Sequence, residues 1–502
     1  MERQVGTIKP GARVRHPELG LGEVARSRRG GRSLQVRFDS NPRLLLEVRL
    51  QELELLDARS LDPMTGTKKP AIGSIKHSQG KKLPLKTEKA DTKKDRTAAM
   101  VLEALRTGVV PSMETRQSSV GRDKELELVT LDLDEAEDRG SARVFLGDYG
   151  AGKTHMLELV EQEALQKGFL VGKATMDPLY ARPNQPMRIY RQLVSRLKYP
   201  DRLAGDEQGL EPLLVAATTD DNFMDDFKNN RNVIARHLYL RSAVQYYHIL
   251  ASKDDRFAMD LLLDWISGHR ERGNQDLDTY LKGLGGSGPR VYSLKDFQPW
   301  AHVYSYLVSG ISILARSLGY KGLVLLLDEA ENYDLLGSAA KAFADTTFKC
   351  MSLAALGEKG VSFDAESIPK GGFPPQKKLP FLFNWPHGIY LVCAMTPSTH
   401  GERLLRDLVG DERITELTPL TLKDYRKLSE RISGLFERAY PAMNLPAKLK
   451  KPLGEVMWSL IKTGSISSPR DAAKLSVEFL DMMRLSPALL ADFFKDLDEA
   501  MS

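Results

Sequence analysis

Gly147, Asp148, Tyr149, Gly150, Ala151, Gly152, Lys153 and Thr154 satisfy the spacing GxxxxGK[ST], with apolar ARVFL before them and a helical pattern after them. Residues of these types at this spacing suit the binding of a phosphate chain. Glycines let main-chain N–H groups turn inward around an anion, and the helix that follows presents the positive end of its dipole to the same charge. Lys153 is expected to reach the β- and γ-phosphates, and the Thr154 hydroxyl to sit on Mg²⁺. His155 follows directly and is a candidate nucleotide contact, with a helical residue facing a neighbouring strand as the alternative. A loop of this kind needs a second strand that carries acids. In GLVLLLDEAENYD an apolar run ends in Asp328 and Glu329, as expected of a buried parallel strand delivering carboxylates to its C-terminal edge. These are Walker A and Walker B patterns: Asp328 would hold the metal through water, and Glu329 would act as general base toward the attacking water.

Three further positions could complete a hydrolytic site. HGIYLVCAMTPSTHGE reads as a strand ending in Thr396, and ATPases of the additional-strand class use a polar residue there to orient water or sense the γ-phosphate. Arg413, and secondarily Arg406, precede the short strand ELTPL, where oligomeric AAA+ ATPases carry an arginine finger for the neighbouring subunit. In GSISSPRDAAKL, Ser468 can cap a helix with Pro469 at its first position. Arg470 at that helix start is where origin-recognition ATPases and their relatives contact the γ-phosphate, with a surface ion pair as the alternative. Asp220, Asp221, Asp225 and Asp226 lack the glycine and terminal glutamate of a calcium loop and read as a solvated turn. Cys350 and Cys393 are the only cysteines, too few for a zinc cage or a disulfide framework.

The elements that must hold these residues read as an α/β core over 97–420, with a helical insertion at about 200–315 between the two Walker strands. A helical lid follows over 421–502. Apolar spacing in TAAMVLEALRTGVVPS marks a helix at the start of the core. Ahead of it, residues 1–57 show short alternating strands between turn signals. The string RVRHPELGLGEV followed by VRFD resembles the SH3-like or tudor-like barrels appended to some bacterial helicases and transcription regulators. Residues 58–96 are rich in Lys, Thr, Pro, Gly and Ser and too poor in large apolar residues to order, so they read as a flexible tether.

The 502 residues, 42% hydrophobic and 28% charged, describe a multidomain globular chain. Residues 1–57 carry 11 basic and 8 acidic side chains and residues 58–96 carry 11 against 4, which leaves −5 for the remainder. Such a basic amino-terminal fifth can neutralise DNA phosphates, or can serve only as a solubilising tether. No apolar run approaches the roughly 20 residues of a membrane span, and the first residues lack a secretory pattern, so a cytoplasmic location without membrane contact is expected. DEAE suggests a helicase, but the chain after residue 335 is too short for a second lobe and lacks its arginine-rich motif.

Over residues 96–490 the order TAAMVLEALRTGVVPS, VGRDKELELV, GDYGAGKTHML, RPNQPMRIYRQLV and LLLDEAENY resembles the BREX-system ATP-binding family, the BrxC/BrxD type of phage-defence proteins. That resemblance implies an AAA+-like P-loop ATPase that uses ATP and Mg²⁺, works with other defence-system proteins, and can form a homo-oligomer. Within it, Gly121 and Arg122 match the motif that many AAA+ proteins place near the adenine. Two functions stay open at this point. One is an ATPase driving conformational change in a DNA-associated defence complex; the other is a nucleotide-gated switch with negligible turnover that recruits protein partners through its barrel.

Overall fold

In the computed structural model the described residues are five short strands between positions 13 and 55, then residues 95–107, 120–202, 207–269, 274–283, 288–296, 300–441, 447–466 and 468–485. Two compact units divide the chain, residues 1–89 and 90–502. The expected tether lies outside the described residues except at its last two positions, and so does the end of the expected lid beyond residue 485.

In the first unit β1 (Arg13–His16), β2 (Gly20–Ser27), β3 (Ser33–Phe38), β4 (Leu45–Arg49) and β5 (Glu54–Leu55) form one sheet in the order β4-β3-β2-β1-β5. Every pairing is antiparallel, as the short alternating runs between turn signals require. A register shift between Val24 and Arg26 bends β2, and β5 returns to the free edge of β1 by pairing Leu55 with Val14.

The second unit is built on β6 (Ser141–Leu146), β7 (Leu170–Thr175), β8 (Leu323–Asp328), β9 (Ile389–Met395) and β10 (Ile414–Glu416). All four neighbouring pairs are parallel, in the order β10-β6-β9-β8-β7. This α/β arrangement is compatible with a P-loop NTPase core. The full burial of β6, β8 and β9 reflects their place between two helical layers. Leu323, Leu325 and Leu327 of β8, with Leu391 and Cys393 of β9, pack into one layer with the insertion helices. The alternate residues Val324, Leu326, Tyr390, Val392 and Ala394 pack on the other face against α1 (Asp123–Arg139) and α2 (Lys153–Gln166). Across that second face, Arg143 donates to Asp132 at 2.7 Å and to Thr415 at 2.9 Å, while the Tyr390 hydroxyl donates to Asp132 at 2.7 Å. Three strands and one helix are thereby pinned in register.

Between β7 and β8 the chain forms helices including Leu240–Ser252, Arg256–Ile266 and Ala301–Ser317. Tyr239, Tyr247, Trp265 and Tyr304 are buried in the same cluster as the sheet face, so the aromatic stripes of the insertion are core. The acidic run, read from sequence as a solvated turn, is a helix instead: Asp220 caps Asp221–Lys228 by accepting from Phe223 N–H at 3.1 Å, and Asp225 and Asp226 pair with Arg231.

Among the described residues three helices follow the sheet, α3 (Leu422–Ala439), α4 (Ala447–Lys462) and α5 (Pro469–Leu485). Thr421 and Asp424 close a reciprocal capping box at the start of α3. The helix Arg96–Arg106, read from sequence as the start of the core, joins this bundle instead. Its Ala98, Val101, Leu102 and Leu105 lie in the cluster of Leu428, Ile432, Phe436 and Val477, and Arg106 pairs with Asp481 at 2.7 Å. Because all strands run the same way, β6, β8 and β9 end at a common sheet edge. Residues 147–154, Asp328 and Thr396 meet there.

Candidate nucleotide-binding site

Fully buried β6 leads without a break into the glycine loop, and α2 starts at Lys153. Gly150 and Gly152 take φ of +84° and +92°, which a side chain would resist, and this lets the loop curl over the helix start. The first N–H groups of α2 have no intrahelical acceptor and Gly152 supplies no side-chain cap, so the helix end is free to receive an anion.

The lysine and the acids converge on this loop. Lys153 Nζ donates to Gly147 O at 2.9 Å, to Asp148 O at 3.2 Å and to Thr396 Oγ1 at 3.0 Å. Thr154 Oγ1 donates to Asp328 Oδ2 at 3.0 Å, joining the loop to the acid strand. The other oxygen of Asp328 accepts the Glu329 N–H at 3.0 Å. Glu329 itself takes φ +58°, a left-handed conformation that turns the chain sharply from β8 into the short helix Ala330–Leu335. Its carboxyl pKa is raised, first by burial and then by the Asp328 and Glu331 charges, against a lowering bond from Asn332. Such a shift makes Glu329 a better proton acceptor than an ordinary surface glutamate.

A cleft of about 350 Å³ opens between this edge and the C-terminal helices, lined by residues 149–155, Asp328, Glu329, Glu331, Leu428 and the start of α5. Tyr149, 86% exposed, stands at its wall. Ser468 caps α5 by accepting the Asp471 N–H at 3.2 Å and donating to its carboxylate at 2.8 Å. Arg470 is thereby presented to the cleft, and no ion pair to another described residue draws it away. Burial and the neighbouring Arg122 push the His155 imidazole down to about 4, so it is neutral at physiological pH.

The remaining expected residues divide. Arg122 borders the cleft, but its guanidinium is engaged by the protein, donating to Ala151 O at 2.6 Å, Thr418 O at 2.9 Å and Glu125 at 3.2 Å. It clamps the glycine loop to the segment after β10. Gly121 (φ +66°) packs against Leu420 and Asp424 and borders an adjoining hollow with Lys427 and Arg431, outside the main cleft. Arg413 donates to Val409 O at 3.0 Å and to Glu412, and Arg406 pairs with Glu402 and Asp411. Neither borders the cleft.

Two residues of the site were not anticipated from the sequence. Glu331 Oε1 accepts from the Thr396 hydroxyl at 2.7 Å. Asn332 Nδ2 donates to Met176 O at 2.9 Å and to the Glu329 carboxylate at 3.4 Å. The only sequence signal was a third acid three positions after Asp328. Among the described residues no three His, Cys, Asp or Glu side chains converge as a metal cage, and no helix is long and apolar enough to cross a membrane.

A family model described as BREX system ATP-binding protein BrxC/D matches residues 93–214, about a quarter of the chain. The matched stretch contains the glycine loop and ends before the acid strand, Thr396 and the lid helices. No curated protein matches the chain.

Proposed function

We propose that this chain binds Mg-ATP between the sheet edge and the helical lid and hydrolyses it, as an AAA+-like ATPase of a bacterial BREX-type phage-defence assembly. The observation that carries the reading is the 3.0 Å hydrogen bond from Thr154 to Asp328, which brings a phosphate-binding loop and an acid pair into one site. Strand order supports it, since β9 with Thr396 lies between the strands bearing the loop and the acids. Similarity to the BREX family model over residues 93–214 supports the biological setting.

In this reading Lys153 exchanges its loop carbonyls for phosphate oxygens, and the N–H groups at the start of α2 hold the phosphate chain. The donor set suits a hard cation that takes most of its ligands from phosphate and water, with the Thr154 hydroxyl and Asp328 completing the shell. Such an ion neutralises charge on the transferring phosphoryl group when bound. Glu329 accepts the proton of the attacking water, whose oxygen bonds to the γ-phosphorus as the bond to the bridging oxygen breaks. Arg470, on the lid, supplies positive charge from the side opposite Lys153 and links lid position to the presence of the γ-phosphate.

Substituting Arg470 by alanine is expected to weaken ATP about tenfold while changing ADP affinity little, because a charge-assisted hydrogen bond to the third phosphate is removed. Equal losses for both nucleotides in equilibrium titrations would remove Arg470 from the γ-phosphate. Purified protein is expected to release phosphate from ATP in Mg²⁺ and to stop in chelator. A nucleotide-gated switch is favoured by one observation, that the loop and Thr396 already satisfy all three donors of Lys153; binding without measurable phosphate release would select it.

The amino-terminal sheet, with β5 returned to β1, supports an SH3-like barrel, and its basic sequence together with the expected tether supports DNA contact. Deleting residues 1–96 is expected to weaken duplex DNA binding and to flatten its dependence on salt. Unchanged affinity and slope would exclude these residues from the DNA interface. Arg413 and Arg406 lie outside the chain's own cleft, so a finger role for either goes with a homo-oligomer in which a second copy supplies the nucleotide.

A further inference from the structure

Thr396 carries one hydroxyl proton and two lone pairs. Its Oγ1 lies 2.7 Å from Glu331 Oε1 and 3.0 Å from Lys153 Nζ. An ammonium group only donates and a carboxylate only accepts, so both polarities are fixed: Thr396 donates to Glu331 and accepts from Lys153. The left-handed backbone at Glu329 and the short helix after it carry Glu331 back to the end of β9. The second carboxylate oxygen of Glu331 is buried with no hydrogen-bonding partner among the described residues, and the residue lines the cleft. A hydroxyl whose proton is committed in this way has none to offer a phosphate oxygen, and a fully ionised phosphate has no proton to give it.

We propose that Glu331 is a positioning residue that fixes the polarity of Thr396, making Thr396 an acceptor for the attacking water instead of a donor to the γ-phosphate. The inference rests on the reading of the site as an ATPase. When Lys153 turns to the phosphates, the lone pair it leaves on Thr396 accepts one O–H of the water. The other water proton passes to Glu329, the water oxygen forms the new P–O bond, and the electron pair of the broken bond leaves with ADP. Glu331 neither gains nor loses a proton.

The test compares Thr396→Val, Thr396→Ser, Glu331→Ala and Glu331→Gln by phosphate release and by equilibrium titration with ATP and with ADP, alongside thermal unfolding. Thr396→Val and Glu331→Ala are each expected to lower kcat about 10- to 100-fold while keeping the preference for ATP over ADP. The double variant should be no slower than either single, because both substitutions break one linkage. Thr396→Ser and Glu331→Gln keep the hydroxyl and the acceptor, and are close enough in shape to fold. They are expected to retain at least about a third of the wild-type kcat, the remaining loss matching a perturbed hydrogen bond.

Three results would overturn the proposal. Glu331→Gln as inactive as Glu331→Ala would make Glu331 a base or metal ligand, a loss of the ATP preference in Thr396→Val would make Thr396 a phosphate donor, and additive losses would separate the two residues. Failure of the ATPase reading itself shows differently, as undiminished turnover in Glu329→Gln or none in the wild type. In the latter case the ATP-to-ADP affinity ratio of Thr396→Val still decides the polarity.

Discussion

Glu329→Gln is expected to slow ATP hydrolysis by about 10²- to 10⁴-fold, the range a positioned general base contributes, while ATP stays bound. The amide preserves the size of the side chain and its bond from Asn332 but cannot accept the proton that water loses. The environment explains why this carboxylate suits the task. Burial and the charges of Asp328 and Glu331 hold its pKa above the usual 4.5, so it is a stronger base than a free glutamate yet still ionised once the pH exceeds that raised value. The sign follows: wild-type kcat should rise with pH through a pKa displaced upward from 4.5, and the limb should vanish in the variant. Single-turnover phosphate release over a pH series reads both effects. Turnover undiminished in Glu329→Gln would assign the base elsewhere.

Lys153→Ala is expected to weaken ATP binding about 10- to 100-fold, corresponding to the 1.5–3 kcal/mol of a hydrogen bond to a charged group. Two observations make the loss specific. The ammonium group sits at the mouth of the loop, where Gly147 O, Asp148 O and Thr396 hold it within 3.2 Å, and no acid forms an ion pair with it among the described residues. Its charge is therefore free to be given to a ligand. The substitution leaves buried packing intact, so the unfolding temperature should change little. Nucleotide titration and thermal unfolding on the same preparation separate the two, and wild-type affinity in Lys153→Ala would remove the loop from nucleotide binding.

The parts of this site that could be read from sequence are those whose geometry is local. Residues 147–154 form a tight loop at a helix start because each glycine acts on the turn next to it, and Asp328 ends a strand whose apolar run is visible by itself. Thr396 is found the same way, from the end of a buried strand. What depends on distant segments was not legible. One neighbour of β6 is β10, some 270 positions later in the sequence (Arg143 to Thr415), and no periodicity encodes that pairing. The helix Arg96–Arg106 shows a clear apolar face, but amphipathicity does not say which cluster it joins, and the C-terminal bundle received it. Glu331 reads as one acid among several in DEAENYD, since its partnership with Thr396 is created by the left-handed turn at Glu329. Arg122, expected near a nucleotide base, borders the cleft, but that its donors rest on the carbonyls of Ala151 and Thr418 is set by segments no local pattern joins.

The most direct test of the whole account is a structure of the Glu329→Gln variant determined with ATP and Mg²⁺. The expected map shows the triphosphate against the N–H groups of residues 150–154, Lys153 turned from the loop carbonyls onto it, and the metal beside Thr154 and Asp328. Triphosphate density elsewhere on the chain, or an unchanged Lys153 with no nucleotide in the cleft at millimolar ATP, would contradict it.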